Sequence, residues 1–247
     1  MFVGQVFVHL PSVGSTNAYA LDLLSKSKPA EGTVISAFEQ TAGRGQIGSG
    51  WESEPGKNIS LSIVFYPTFL PARHQFQLNQ AISLAAHDLV AAFFGETAKI
   101  KWPNDLYVGS KKIAGILIQN SVSGSHLNAT VVGIGLNVNQ AVFNSNPPNP
   151  TSFLLETGSA YDLETLIVQL MQFVESRYLQ LKSGKIANMH EDYLAALYRF
   201  GTAAKFRRAG GEIFTGTIAG ITESGRLRVL VQEEEATFDL KEISFVL

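Results

Sequence analysis

The chain has 247 residues, 45% of them apolar and 16% charged, with a formal net charge of −2, which is enough apolar material for one large domain plus a small one. It contains no cysteine, so disulfides, thiolate metal sites and cysteine nucleophiles are excluded together. Near-neutral charge without a clustered basic run argues against nucleic acid or anionic lipid as partners, and "MFVGQVFVHLPS" carries no cationic leader while no stretch approaches 18 apolar residues, so a cytoplasmic protein without a membrane segment is expected.

"GQVFVHL" alternates as a strand does. In the following "STNAYALDLLSKS", Ser15 or Thr16 suits a helix N-cap, and Tyr19, Leu23 and Leu24 share one face. "TVISAFEQ" reads as a buried strand, and "NISLSIVFY" as another in which Ile59, Leu61, Ile63 and Phe65 alternate against serines. Between them lies "EQTAGRGQIGSGWESEPGKN", residues 39 to 58, with Gly43, Gly45, Gly48 and Gly50 set around Arg44.

That stretch contains G-x-G-x-x-G, but a dinucleotide fold needs a helix to open there, and "SGWESEPGKN" has a proline and two glycines instead. A kinase reading lacks H-R-D and D-F-G, and there is no G-x-x-x-x-G-K-[ST]. A plain flexible hairpin is the simplest alternative. Against it, Arg44 between glycines sets several backbone N–H groups and a forked guanidinium toward one anion. Trp51 adds a flat face suited to stacking on a base, although tryptophan also serves as ordinary core.

"PARHQFQLNQAISLAAHDLVAAFFG" starts at Pro71, stops at Gly95 and carries helical spacing. "AKIKW", "DLYV", "KKIAGILIQN" and "LNATVVGIGLNVN" then read as neighbouring antiparallel strands joined by turns. "KWPND" brings Lys101, Asn104 and Asp105 to one sheet end, with Lys112 a few residues on. Solvated strand-end charges are the bland account. Gly115 inside a β-branched run, and Gly133 and Gly135 at period two, instead suggest a channel where a slender, apolar-bodied ligand lies, with Asn137 just beyond.

"NQAVFNSNPPNPTS", residues 139 to 152, reads as a surface connection. Two helical patterns follow, "DLETLIVQLMQFVESRYLQLK" and "NMHEDYLAALYRF", the second ending at Gly201. From about residue 202, five short strands in 45 residues predict a small barrel packed on the main domain. His9, His74, His87, His126 and His190 stand singly, without metal-ligand spacing.

Taken in order, "GSTN", "EQTAGRGQIGSGW", "KWPND", "KKIAGIL" and "GIGLNVN" resemble the biotin protein ligases over nearly the whole chain, in their short form without a DNA-binding domain. The resemblance implies an α+β fold: an SH2-like mixed sheet flanked by helices over residues 1–200, then an SH3-like β-barrel over 201–247. It implies activation of biotin with Mg-ATP as biotinyl-5′-AMP and transfer to one lysine of a biotin carboxyl carrier domain. Ser15, Thr16, Asn17, Gln40, Gly43, Arg44, Lys112, Gly115, Gly133 and Gly135 would contact biotin. Arg44, Gly45, Gln46, Trp51, Lys101, Asn104 and Asn137 would hold the nucleotide. Arg44, Lys112 and Asp105 would carry the chemistry, Asp105 by orienting the incoming ammonium and taking its proton.

The family often has a basic residue where this chain has Gln46, so one cation is missing. Lipoate ligases and octanoyltransferases are related alternatives; the first lack their R-R-x-S-G-G-G-like stretch here and the second would need cysteine. A non-enzymatic biotin or nucleotide module would keep the glycines without needing Asp105 or Lys112. Pairing of two chains through an open strand edge is compatible with the sequence.

Overall fold

The computed structural model describes residues 1–46, 49–144 and 149–246. Gly48 of the glycine stretch and part of the 139–152 connection therefore lie outside the described residues. A seven-stranded sheet has the order β1-β2-β3-β7-β6-β5-β4, with β1 Phe7–Val13, β2 Val34–Gln40, β3 Ile59–Phe65, β4 Ala98–Lys101, β5 Asp105–Val108, β6 Lys111–Ser123 and β7 His126–Leu136. β1 runs parallel to β2 and the remaining pairs are antiparallel.

The central strands are apolar on both faces, and alternate residues go to different cores. Val34, Ile63, Phe65 and Val132 join the large core, whereas Ile35, Val64 and Val131 join a small one with Ala20. Helix α1, Thr16–Lys26, covers the small-core face. On the other face lie α2 (Gln75–Phe94), α4 (Leu163–Lys182) and α5 (Ile186–Ala196). The short α3 comprises Phe153–Thr157. Helix α2 begins after a single turn of 3₁₀ helix at Ala72–His74 and stops at Gly95, as its flanking proline and glycine predict.

The last five strands, β8 Ala203–Arg208, β9 Ile213–Ile221, β10 Leu227–Val231, β11 Glu234–Phe238 and β12 Ile243–Phe245, form a second antiparallel sheet of order β11-β10-β9-β8-β12. Its inward residues Phe206, Ile218, Leu227, Val229 and Phe238 belong to the same core as the main sheet. Among the described residues no helix is long and apolar enough to cross a membrane.

Two expectations from the sequence are revised. The 139–152 connection is not simply superficial: Gln140, Thr151 and Ser152 are buried, with Gln140 accepting from Glu54 N and Ser152 donating to Gln140 O. Helix α5 stops at Ala196 rather than Gly201, because Tyr198 N donates to Ile100 O at 2.8 Å and the chain leaves the helix to pair beside β4.

Candidate active site

Gly115 of β6 stands directly opposite Gly135 of β7, and Gly133 lies opposite Ser62 of β3. Three missing side chains open a trough in the sheet face beside α1. Two side chains of the protein use that room. A Cβ on Gly133 would come 2.2 Å from Asn17 Oδ1, one on Gly135 would come 2.3 Å from Trp51 Cε2, and one on Gly115 would come 3.0 Å from Trp51 Cζ3. The glycines thus clear space first for Asn17 and for the indole of Trp51. A cavity of about 150 Å³ remains, lined also by Ser15, Thr16, Gln40, Arg44, Gly45, Gln46 and Lys112.

The start of α1 forms one end of this cavity. Ser15 is its N-cap residue but makes no side-chain cap bond. Thr16 N and Oγ1 donate to Gln40 Oε1 at 2.8 and 3.1 Å, Ser62 donates to Asn17 Oδ1 at 2.6 Å, and Asn17 Nδ2 donates to Leu117 O and Gln119 Oε1. Residues 15–17 are nevertheless almost wholly buried. A network this closely satisfied holds its groups in one orientation.

The described ends of the glycine loop, residues 43–46 and 49–51, lie against each other. Gly45 N donates to Ser49 O at 2.9 Å, Trp51 N donates to Gly43 O at 3.0 Å, and Arg44 bridges Gly50. A Cβ on Gly43 would fall 2.2 Å from Trp51 O, so only glycine permits this approach. Arg44 lines the cavity and has no ion-pair partner among the described residues. Gln46 Nε2 donates to Asn104 Oδ1 at 3.0 Å, tying the loop to the Lys101–Asp105 turn.

Lys112 Nζ lies 2.7 Å from Asp105 and 5.8 Å from the Trp51 ring centroid. These three residues separate the first cavity from a second one of about 720 Å³, to which Ala42, Glu52, Asn137, Phe143 and Pro150 also contribute. Two polar atoms at this junction are buried without a hydrogen-bond partner, Trp51 Nε1 and Asn137 Oδ1. One is a donor and the other an acceptor. Buried groups of this kind are few in folded proteins and each calls for an account.

Two sequence-predicted contacts sit elsewhere. Lys101 does not line either cavity. It donates to Tyr107 Oη at 3.0 Å and lies over the Tyr107 and Phe245 rings at 4.8 and 5.2 Å, and burial lowers its pKa. Asn104 faces a third cavity, between the turn and the second sheet. Sequence reasoning missed Ser62, Gln119, Leu117 and Phe143. The serines alternating with Ile59, Leu61 and Ile63 were the available signal for Ser62; the others have none.

An α+β sheet whose glycine-cleared trough ends at a lysine–carboxylate pair beside a glycine–arginine loop defines a class. The profile of the Biotin/lipoate A/B protein ligase family matches residues 10–137, and the chain belongs to that family. Within it, the chain is 33% identical to the biotin–[acetyl-CoA-carboxylase] ligase of Paracoccus denitrificans, covering 88% of this chain and 91% of that one. It is 32% identical to the ligase of the same name from Mycobacterium tuberculosis, over 87% and 79%. The biotin protein ligase of Aquifex aeolicus, solved with biotin and ATP, has the same fold, with a TM-score of 0.81 at 23% identity and 98% and 99% coverage.

Proposed function

We propose that the protein is an ATP-dependent biotin ligase that joins biotin to AMP and then transfers the biotinyl group to one lysine of a biotin carboxyl carrier domain. The observation that carries this reading is the Lys112–Asp105 pair, at 2.7 Å, where the two cavities meet. The smaller cavity would take the biotin ring and chain between residues 15–17, Gln40 and Gly133. The larger would take the nucleotide: Asn137 Oδ1, an unpaired buried acceptor, suits the exocyclic amine of adenine, and Trp51 offers a ring face and an unpaired N–H.

In the first step a biotin carboxylate oxygen attacks the α-phosphorus of ATP and pyrophosphate leaves. Two anions must approach, and Arg44, Lys112 and the loop N–H groups offset their repulsion. Among the described residues no cluster of three or more metal-type ligands exists, and Asp105 is the one carboxylate lining both cavities. That donor set fits Mg²⁺ carried on the triphosphate rather than a resident ion. When bound, the ion neutralises phosphate charge.

In the second step the lysine amine attacks the acyl carbon, an amide forms and AMP leaves. A lysine of pKa about 10.4 is neutral in only about one molecule in 2,500 at pH 7. Asp105, already holding one ammonium, would orient the incoming one and accept its proton. The finer architecture belongs to the same proposal: an SH2-like catalytic unit over 1–200, an SH3-like unit over 201–247, a cytoplasmic setting and no nucleic-acid partner.

Incubation with biotin, Mg-ATP and a carrier domain should add one biotin-sized mass to a single carrier lysine, and lipoate should not substitute. A carrier left unmodified, with no biotin-dependent exchange of labelled pyrophosphate into ATP, would overturn the reading.

A further inference from the structure

Asn137 directly follows β7 and lines the larger cavity. Its side-chain amide offers an acceptor at one end and donors at the other, so a half-turn about one bond decides which of them meets a ligand.

The protein settles that half-turn. Asn137 Nδ2 donates to Thr151 O at 2.9 Å, and because a carbonyl only accepts, the reversed amide would set two acceptors against each other. Oδ1 is left buried and unpaired. The main chain does not relax to suit a reversed amide, since Asn137 N donates to Ile113 O at 2.9 Å and Asn137 O accepts from Phe153 N at 3.3 Å.

Thr151 O therefore sets the orientation, and Thr151, 1% exposed, is itself anchored on two further sides. Its N donates to Lys112 O at 2.8 Å. Its hydroxyl donates to Glu156 Oε1, and Lys111 Nζ donates to the same oxygen at 2.9 Å. Burial opposes ionisation of Glu156, yet the bonds from Thr151 and Lys111 outweigh it and lower its pKa, so at neutral pH the hydroxyl meets a carboxylate, the stronger kind of acceptor. Glu156 is carried in turn by α3, where its N donates to Ser152 O at 3.1 Å. Neither Thr151 nor Glu156 lines either cavity.

We infer that Thr151 and Glu156 are positioning residues that select the nucleotide. By holding the Asn137 amide with Nδ2 turned away and Oδ1 free, they favour a base that presents an exocyclic amine, as adenine does, over one that presents a carbonyl there, as hypoxanthine and guanine do. The inference rests on the ligase reading above and adds residues to which that reading gives no part. A purine 6-carbonyl would meet Oδ1 acceptor to acceptor and leave both unpaired. Reversing the amide would relieve this, and Thr151 O opposes the reversal for as long as it stays in place.

ITP carries a carbonyl where ATP carries the 6-amine, on the same sugar and triphosphate. Biotin-dependent exchange of labelled pyrophosphate, run with each nucleotide, reads the preference as a ratio of kcat/KM. Wild type should favour ATP by at least about a hundredfold. Thr151→Val removes the hydroxyl and Glu156→Leu removes its acceptor, and each should cut the ratio about tenfold or more. Thr151→Ser and Glu156→Gln keep the donor and the acceptor and should hold it within about twofold of wild type. A disturbance passed through the Lys112 backbone lowers exchange with both nucleotides alike, so parallel losses at an unchanged ratio mark a merely structural role and overturn the inference. Absence of an ATP preference in wild type overturns it too. Should Thr151→Val fail to fold, Glu156→Leu decides alone. Wild type without exchange from either nucleotide sinks the ligase reading and this inference with it; exchange with ATP and an unmoved ratio in the variants sinks this inference only.

Discussion

Trp51 and Gly135 show how one hydrogen atom in place of a methyl decides the site. The indole rests where a Gly135 side chain would stand, so Gly135→Ala must displace it, and Trp51 is one of only two tryptophans in the chain. The variant should shift the Trp51 emission to longer wavelength and weaken adenylate retention by about two- to tenfold, the scale of losing one stacked aromatic contact; emission and retention unchanged from wild type would show that the close approach is irrelevant. Gln46 makes a neutral bond to Asn104, and a guanidinium there would add a charge-assisted donor, roughly twice as strong. Gln46→Arg is expected to slow adenylate release several-fold in a filter-binding chase, and identical release rates would reject the role given to this position. The glycines of the trough were legible because glycine within a β-branched run contradicts local propensity. Their immediate neighbours were not, since nothing in sequence spacing says that Asn17 and Trp51, from α1 and a distant loop, fill the gaps.

At the scale of elements, residues 43–45 meet residues 49–51 through a few backbone bonds, and Arg44, Ser49 and Gly50 are exposed. Such segments open at low free-energy cost. Trypsin should cleave after Arg44 in the empty protein, and biotin plus Mg-ATP should slow that cleavage about tenfold or more, because Arg44 engages the phosphate groups when they bind; equal rates with and without the substrates would remove Arg44 from the contacts assigned to it. The strands were readable because alternation has a period of two and their turns carry Gly, Asn, Asp or Ser. Helix α3 was not: its five residues directly follow the Asn- and Pro-rich connection, and they are helical because Ser152 accepts from Leu155 N and Phe153 packs between Phe93, Phe94 and Tyr161. The end of α5 was equally hidden, since the contact that stops it comes from Ile100, almost a hundred residues upstream.

For the molecule as a whole, the sheet order and the joining of the two sheets are long-range facts that local patterns do not encode. His87 sits between α2 and β4, donating from Nε2 to Ala98 O at 3.1 Å, with Asp88, Lys99 and Arg177 around it. Burial lowers its pKa, outweighing the Ala98 bond and Asp88. The unfolded chain then binds more protons, so His87 costs nothing above about pH 6.5 and erodes stability as pH falls below that value toward the folded pKa. Melting temperature should drop between pH 7 and 5.5, and less steeply in His87→Gln; parallel profiles would exclude His87 as the cause. A composition shift near residue 202 suggests a separate unit, yet Phe206, Ile218, Leu227 and Phe238 share one core with the central sheet, and Trp102–Gly225, His74–Glu223 and Arg199–Val246 bonds cross the junction. About 45 residues can bury too little apolar surface of their own to offset their chain entropy. The intact protein should therefore melt in one calorimetric transition with matching van't Hoff and calorimetric enthalpies, and residues 201–247 alone should show an unfolded amide spectrum; two separated transitions, or a dispersed spectrum from the fragment, would mean that the second sheet is an autonomous domain.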